Sequence, residues 1–200
     1  MEIETRTEAR GGVSLMLDVL TQPAEAFRYL AQHNHLGLAL IVYAVSQLPL
    51  NFTPPLPFSA DIGDLATAPP ATVRSVLVDA IYHIIGLFIF AAPLHLVARL
   101  LGGHGRYGQI LQAMGLASLP AVFVAPFAVV AHLAELPFVY FLAVLAAVAW
   151  SLWLTVVAIR ETYKFSTGRA VAALALDVAA FVVVIFVLGV LLSLALLAAP

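Results

Sequence analysis

The stretch that decides the fold is residues 170–199, AVAALALDVAAFVVVIFVLGVLLSLALLAA. Asp177 is its only ionisable residue. As a helix, a stretch of this length rises about 45 Å at about 1.5 Å per residue, which exceeds the ~30 Å hydrocarbon core of a bilayer. The sequence therefore predicts that residues 170–199 form a transmembrane helix.

The composition of the whole chain agrees with a membrane environment. Hydrophobic residues make up 63% of the 200 residues, charged residues make up 10%, and the mean hydropathy is +1.04. So few charges cannot cover a water-soluble surface, so much of the chain must have lipid as its solvent. The net charge is −2 and no Lys/Arg cluster is present, which argues against nucleic acid as a partner. The absence of cysteine excludes disulfides and thiolate chemistry.

Four further apolar segments precede residues 170–199, separated by polar, Pro-rich or Gly-rich residues. The sequence predicts an all-α membrane protein with five transmembrane helices, at about 34–52, 73–101, 109–131, 137–160 and 170–199. These spans belong to one membrane domain, residues 14–200, which follows a polar tail at residues 1–13. Pro93 predicts a kink in the second span, and Pro120 and Pro126 lie within the third.

Residues 14–32 have the pattern of one or two short amphipathic helices. Apolar residues recur on one helical face, and the chain restarts at Thr21-Gln22-Pro23, where Thr21 can cap and proline suits a first turn. We interpret this segment as interfacial helices on the cytoplasmic membrane surface. An equally weighted alternative is that the segment packs on the protein's own loops.

The distribution of basic residues predicts the orientation in the membrane. Eight of the nine Lys and Arg residues fall on the N-terminal side of a five-span topology, and only Arg74 falls on the other. Basic residues are enriched in cytoplasmic loops, so the N-terminus is expected in the cytoplasm and the C-terminus outside. The expected location is the cell membrane, plasma or inner.

Polar residues within the predicted spans are the candidate functional positions. Ser75, Asp79 and His83 recur every four residues and form one stripe on the second span. Such residues should face the bundle interior, either as a proton or ion relay or as a hydrogen-bonded structural pair, and we favour the structural reading. Asp177 in the fifth span is expected to meet an arginine near the interface; Arg99, Arg160 and Arg169 are the candidates.

No pattern predicts an enzyme, a cofactor or a metal site. His132 and Glu135 are two ligands where a zinc site needs more, and His33 and His35 point to different helical faces. The chain has no Walker loop, no His-Glu-x-x-His motif and no Gly-x-Ser-x-Gly motif. Residues 102–105, Gly-Gly-His-Gly, follow no predicted strand and are better read as a helix-breaking turn.

Five stretches resemble a known family in their order and spacing. They are GGHGRYGQ at 102–109, GLASLP at 115–120, LTQPAEAF at 20–27, WSLW at 150–153 and YKFSTGRA at 163–170. Together they resemble the Yip-type integral membrane domain (the Ypt/Rab-interacting-protein family and its prokaryotic relatives). The positions that carry the motif are Pro23, Phe27, Gly102, Gly103, Pro120 and Tyr163.

The resemblance implies five spans, a cytosolic N-terminus and an external C-terminus. Members from eukaryotes bind prenylated Rab-type GTPases and each other, and act in vesicle traffic and membrane shaping. This chain differs from them in lacking a long N-terminal region and in having Leu116 where the family usually has tyrosine.

Two functions follow as hypotheses. The first is a non-enzymatic membrane protein that scaffolds partners or organises the bilayer, with lipid, other membrane proteins or itself as partners. The second is a small transporter or channel that uses the Asp79/His83 stripe, with proline-broken helices that line a cavity. The two differ in whether the stripe lines a water-accessible cavity or is sealed by side chains.

Overall fold

The structure is a computed structural model that describes residues 11–51 and 73–198. All regular secondary structure in these two ranges is helical, which confirms the all-α prediction. The α-helices are α1 (Gly12–Thr21), α2 (Pro23–Leu30), α3 (Leu36–Asn51), α4 (Val73–Leu100), α5 (Tyr107–Ala117), α6 (Val124–Leu133), α7 (Pro137–Tyr163) and α8 (Thr167–Ala198). A 3₁₀ segment, Leu119–Phe123, joins α5 to α6.

Four stretches in the described ranges are long and apolar enough to cross a membrane. They are Arg74–Leu100, Tyr107–Ala131, Phe138–Tyr163 and Thr167–Leu194. The first predicted span, 34–52, is occupied by α3, which has 16 residues. At about 1.5 Å per residue it is about 24 Å long, shorter than a ~30 Å core. A protein with several membrane spans is therefore established, and five spans stays a prediction.

The third predicted span, 109–131, is not one continuous α-helix. The α-helical pattern ends at Ala117, and the chain passes through the 3₁₀ segment before α6 begins at Val124. Pro120 explains the break because it has no N–H to donate to the carbonyl four residues earlier. Pro126 falls in the first turn of α6, where proline is tolerated. By contrast, α4 continues through Pro93.

Helix α5 lies at the centre of the bundle and packs against α3, α4 and α7. In an apolar 18-residue segment of Tyr107–Ala131, 44% of the residues are buried, whereas 11% are buried in the corresponding segments of α4 and α8. A close approach joins α5 to α3, where a Cβ added to Gly115 would lie 2.8 Å from the Ala39 carbonyl oxygen. Small residues at such a crossing let two backbones come into contact in lipid.

The N-terminal helices pack on this bundle. Leu15 and Val19 of α1 and Phe27 and Leu30 of α2 are buried in the cluster around α5 and α7. Their contacts are with spanning helices, where the alternative sequence reading named loops. Pro23 is the first residue of α2, as the sequence predicts. The suggested cap by Thr21 is wrong, because Gln22 precedes the helix and the Thr21 hydroxyl donates to the Leu17 carbonyl at 2.8 Å.

Tight turns join the remaining helices. Gly102 has a φ of +85°, and the Gly103 N–H donates to the Ala98 carbonyl at 2.9 Å. This pattern ends α4, and the left-handed conformation explains why glycine stands at position 102. Glu135 and Lys164 occupy the same region at φ 54° and 59°, after α6 and at the end of α7. Both turns lie between predicted spans, but the residue types at 135 and 164 do not indicate a positive φ.

Candidate functional site

The predicted polar residues lie at different levels of the bundle. On α4, Ser75 is exposed, and Asp79 and His83 are half-buried. The rings of Phe90 on α4 and Phe181 on α8 contact each other with centroids 4.4 Å apart. Since the helices are antiparallel, Asp177 lies about 6 Å to one side of that contact and His83 about 10 Å to the other. The structure thus does not bring Asp177 to the stripe.

Asp177 is buried, with 6% of its surface exposed. Its Oδ1 atom has no hydrogen-bond partner within the described part of the chain. Two of the expected arginine partners are engaged elsewhere: Arg160 pairs with Glu161, and the Arg169 guanidinium lies 5.4 Å from the Phe165 ring centroid. A buried carboxyl in this environment is a polar position that the protein retains at a cost.

A buried carboxylate that the sequence reasoning missed joins α2 to α7. Glu161 accepts from Arg28 Nε at 3.2 Å and from an Arg160 terminal nitrogen at 2.9 Å. The Glu161 side chain is 9% exposed, and the Arg28 side chain is 56% exposed. Two cations satisfy the carboxylate, so this ion pair holds α2 on the end of α7.

Two glutamines on α5 bind the backbone where α2 ends. The Gln112 amide nitrogen donates to the carbonyls of Leu30 and His33, and its oxygen accepts from the His35 N–H at 2.9 Å. The Gln109 amide donates to the Ala31 carbonyl. The last carbonyls of a helix have no partner inside the helix, so these glutamines complete the C-terminus of α2.

The family-motif residues Gly103 and Tyr163, far apart in sequence, are in contact. Tyr163 is buried, and a Cβ added to Gly103 or Gly105 would lie 2.7 Å or 2.8 Å from its ring. The Tyr163 hydroxyl is hydrogen-bonded to His95 Nδ1 at 2.7 Å. The absence of a side chain at Gly103 and Gly105 therefore leaves room for the Tyr163 ring to pack between α4, α5 and α7.

The other motif positions also have structural roles. Phe27 lies in the core under α2, and Pro120 forms the 3₁₀ break. Just before that break, the hydroxyls of Ser46 and Ser118 lie 2.7 Å apart, and Ser118 donates to the Gly115 carbonyl. This pair joins α3 to the end of α5 beside the close approach at Gly115.

A cavity of about 330 Å³ lies between α3, α4, α7 and the 3₁₀ segment. Its lining is mainly apolar, with five polar residues: Tyr43, Gln47, Ser118, Ser151 and Thr155. None of the predicted polar positions, Ser75, Asp79, His83 or Asp177, lines this cavity.

The histidines do not assemble a metal site in the ranges described. No group of three His, Cys, Asp or Glu residues with metal-binding geometry is found there. His33 stacks on Tyr29 with ring centroids 4.0 Å apart, and its Nδ1 lies 3.0 Å from the Tyr29 carbonyl. Glu135 is exposed, and the His132 side chain lies outside the described atoms.

The apolar helices, the central α5 and the absence of strands in the described ranges define the class as a multi-pass α-helical integral membrane protein. The model of the Yip1 domain family matches residues 17–192, so the chain belongs to that family. No curated protein and no solved structure matches the chain. The family match confirms the resemblance drawn from the sequence motifs, because it spans all five of them.

Proposed function

We propose that this Yip1-domain protein is non-enzymatic and organises the bilayer or scaffolds other membrane proteins from its cytoplasmic face. The observation that carries the proposal is the way α1 and α2 are held on the bundle. Buried apolar side chains, the Arg28–Glu161 ion pair and the two α5 glutamines all fix this pair of helices.

Helix α1 also exposes apolar residues on the side away from the bundle, beside the polar Ser14 and Thr21. Val13 and Leu17 are 68% and 57% exposed, whereas Leu15 and Val19 are fully buried. In water these outer residues would remain unfavourably hydrated, but at the boundary between headgroups and acyl chains they would be buried. A fixed helix at this depth displaces lipid from one leaflet, which supports a role in membrane organisation.

The proposed orientation places α1 and α2 in the cytoplasmic leaflet. The basic residues of the described chain other than Arg74 lie at or near the ends of helices on the α1–α2 side, consistent with a cytoplasmic N-terminus. We take α3 as the first of five spans, the C-terminus as external and the cell membrane, plasma or inner, as the location. The arginine-rich, lysine-poor composition supports a prokaryotic member of the family.

Transport is the second candidate function. The buried Asp177, with Oδ1 unpartnered among the described residues, supports it, because ionisable residues inside membrane proteins mark ion and proton pathways. The position of the cavity supports the first function, because neither the α4 stripe nor Asp177 lines it.

Reconstitution tests the proposed function. Purified protein in liposomes is expected to shift the vesicle diameter distribution, measured by electron cryomicroscopy, as the protein-to-lipid ratio rises. The double variant Val13→Ser, Leu17→Ser should weaken this shift. Leu133→Ser is the matched control, since Leu133 is 78% exposed at the hairpin after α6. Vesicle diameters that do not depend on protein, or that respond equally in both variants, would contradict bilayer organisation.

Scaffolding is tested by purification in native lipid. A reproducible set of copurifying membrane proteins that is lost in the double variant supports scaffolding through the α1–α2 face. If the purified preparation contains this chain alone, scaffolding is contradicted and only bilayer organisation is left of the proposed function.

A further inference from the structure

The cavity beside the 3₁₀ segment is independent of the α1–α2 face. Helix α3 contributes Tyr43 and Gln47, which are four residues apart and so lie on one helical face. Opposite them, α7 contributes Ser151 and Thr155. The rest of the lining consists mostly of aliphatic and aromatic side chains from α4, α5, α6 and α7. An apolar cavity with a few converging polar groups is the usual form of a small-molecule site between helices.

Some of these polar groups already have partners in the protein. The Ser118 hydroxyl bonds to Ser46 and to the Gly115 carbonyl, and the Thr155 hydroxyl donates to the Ser151 carbonyl at 2.8 Å. The Tyr43 hydroxyl and the Gln47 amide form no hydrogen bond with any other residue in the described ranges. Unpaired polar groups are costly in a medium without water, so a ligand that bonds to them is stabilised in the cavity.

The depth of the cavity restricts the occupant to molecules dissolved in the membrane. Ser118 is 11 residues from the start of α5, and Ser151 is 12 residues from the end of α7. Both side chains therefore lie about 17 Å from the same end of the bundle, near the middle of a ~30 Å core. A phosphate headgroup cannot reach this level without leaving the interface.

The absence of charged side chains in the lining indicates that the ligand is neutral. The residues that line the cavity include no Asp, Glu, Lys, Arg or His. A charged ligand would find no counter-ion there, whereas a neutral ligand with an oxygen atom can accept from the Gln47 amide and exchange a hydrogen bond with the Tyr43 hydroxyl.

We infer that this cavity binds a neutral lipid of the diacylglycerol kind, an apolar body with a free hydroxyl and ester oxygens. Its oxygen atoms bond to Tyr43 and Gln47, and one acyl chain fills the apolar part between α4 and α7. The volume of about 330 Å³ holds only part of such a lipid, so the remainder extends into the bilayer.

Photo-cross-linking in nanodiscs tests the inference. The probe is a diacylglycerol with a diazirine in one acyl chain, and mass spectrometry maps the adducts. Adducts are expected on the α4 and α7 residues that line the cavity, where the acyl chain lies. Unlabelled diacylglycerol should compete for labelling, and phosphatidylglycerol with the same chains should not.

Two variants remove the bonding groups one at a time. Tyr43→Phe and Gln47→Leu should each lower the cavity adduct yield about threefold to tenfold, the effect of one hydrogen bond on binding. Tyr82→Phe is the control, because Tyr82 is 71% exposed on α4 and its yield should not change. Tyr43→Phe removes a single oxygen atom, so it keeps the test valid if Gln47→Leu fails to fold.

Three results would overturn the inference. Adducts spread evenly over the exposed faces of α4 and α8 would indicate bulk lipid contact. Equal competition by phosphatidylglycerol would remove the selection for a neutral ligand. An unchanged yield in folded Tyr43→Phe and Gln47→Leu would show that the cavity polar groups hold water instead. None of these results depends on whether α1 and α2 reshape vesicles.

Discussion

At the scale of single residues, the polar side chains inside the bundle are used mostly to join backbone segments. Gln112 illustrates this use, since its amide satisfies two carbonyls and one N–H at the end of α2 and just after it. Glu161 acts in the same way on charged side chains. Each such group is stabilising only while all of its partners are present, because a buried polar atom without a partner costs more than a hydrogen bond contributes.

The first prediction concerns Gln112. Gln112→Leu should leave two carbonyls and one N–H unsatisfied and destabilise the segment by about 2–3 kcal/mol, at about 1 kcal/mol per hydrogen bond. Faster amide exchange at residues 31–36 and a lower Tm in detergent would be the measurements. Gln32→Leu is the control, since Gln32 is exposed. Equal exchange in the two variants would mean that Gln112 does not hold this turn.

The second prediction concerns Gly115. A methyl group added here would lie 2.8 Å from the Ala39 carbonyl oxygen, so Gly115→Ala should force α3 away from α5 and lower the Tm. Gly37→Ala on α3 meets nothing within 4 Å, and it should hold or raise stability because alanine favours helix by about 1 kcal/mol. A Tm for Gly115→Ala at or above that of Gly37→Ala would show that the crossing is not close.

At the scale of elements, α2 is a short helix that depends on its neighbours. Its eight residues are too few to form a stable helix alone, so its order comes from packing and from the joints to α5 and α7. The two halves of the broken third span also depend on their neighbours. Helix α5 is central and buried, whereas Val124 and Ala128, after Pro120, belong to a different buried cluster. In this protein, several helices begin or end at or beside proline or glycine residues, and the position of each helix in the bundle depends on its contacts with other helices.

The third prediction concerns the docking of α2. Phe27 is fully buried between α2 and the bundle. Phe27→Ala should therefore lower the free energy that holds α1 and α2 on the bundle by about 3–5 kcal/mol, while the spanning helices stay folded. Amide exchange should speed up at residues 12–30 and stay slow in α5 and α7. Val13→Ala, at an exposed position of α1, should change neither. Uniformly faster exchange across α7 would instead make α2 part of one cooperative unit.

At the scale of the whole molecule, the two ends of the bundle differ in their polar contacts. The bundle separates into an end that carries α1, α2 and the Arg28–Glu161–Arg160 cluster and an opposite end that carries the α6–α7 turn. The polar joints are concentrated at the first end. This asymmetry is what the proposed cytoplasmic face would require.

The fourth prediction is the topology. With five spans and a cytoplasmic N-terminus, a reporter fused after Pro200 that works only outside the cytoplasm should be active, as the basic residue bias predicts. The same reporter inserted between residues 102 and 106 should be inactive. An inactive reporter after Pro200 would place the C-terminus in the cytoplasm and, with the N-terminus on the same side, would mean an even number of spans.

The fifth prediction separates the two functions. Purified wild-type protein in liposomes should show no pH-dependent proton or cation flux, and Asp79→Asn should keep its stability because an amide can replace the hydrogen bonds of a protonated acid. Thermal melting and a fluorescent pH dye inside the vesicles are the two measurements. Reproducible flux in the wild type that Asp79→Asn abolishes would promote the transporter.

Sequence reasoning reached part of the candidate site. The motif positions Gly103 and Tyr163 are identified from the family resemblance. The structure shows that they are in contact, because the Tyr163 ring packs against the backbone of Gly103. Glu161 and Gln112 escaped, since a glutamate beside Arg160 and a glutamine inside an apolar helix carry no local sign of partners some 80 to 130 residues away. Tyr43 and Gln47 share a helical face, but nothing in α3 reveals the cavity that they meet.

The sequence by itself determined the features that depend on neighbours along the chain. Apolar runs set the membrane helices, Pro23 and Pro120 set a start and a break, and Gly102 set a turn, because hydropathy, missing N–H groups and backbone freedom act locally. Only the tertiary structure decided that α1 and α2 pack on spanning helices, that α5 is central and that Asp177 lies apart from the α4 stripe. Lipid matches every apolar face almost equally, so which faces meet is decided by shape, by small residues and by a few hydrogen bonds between distant segments.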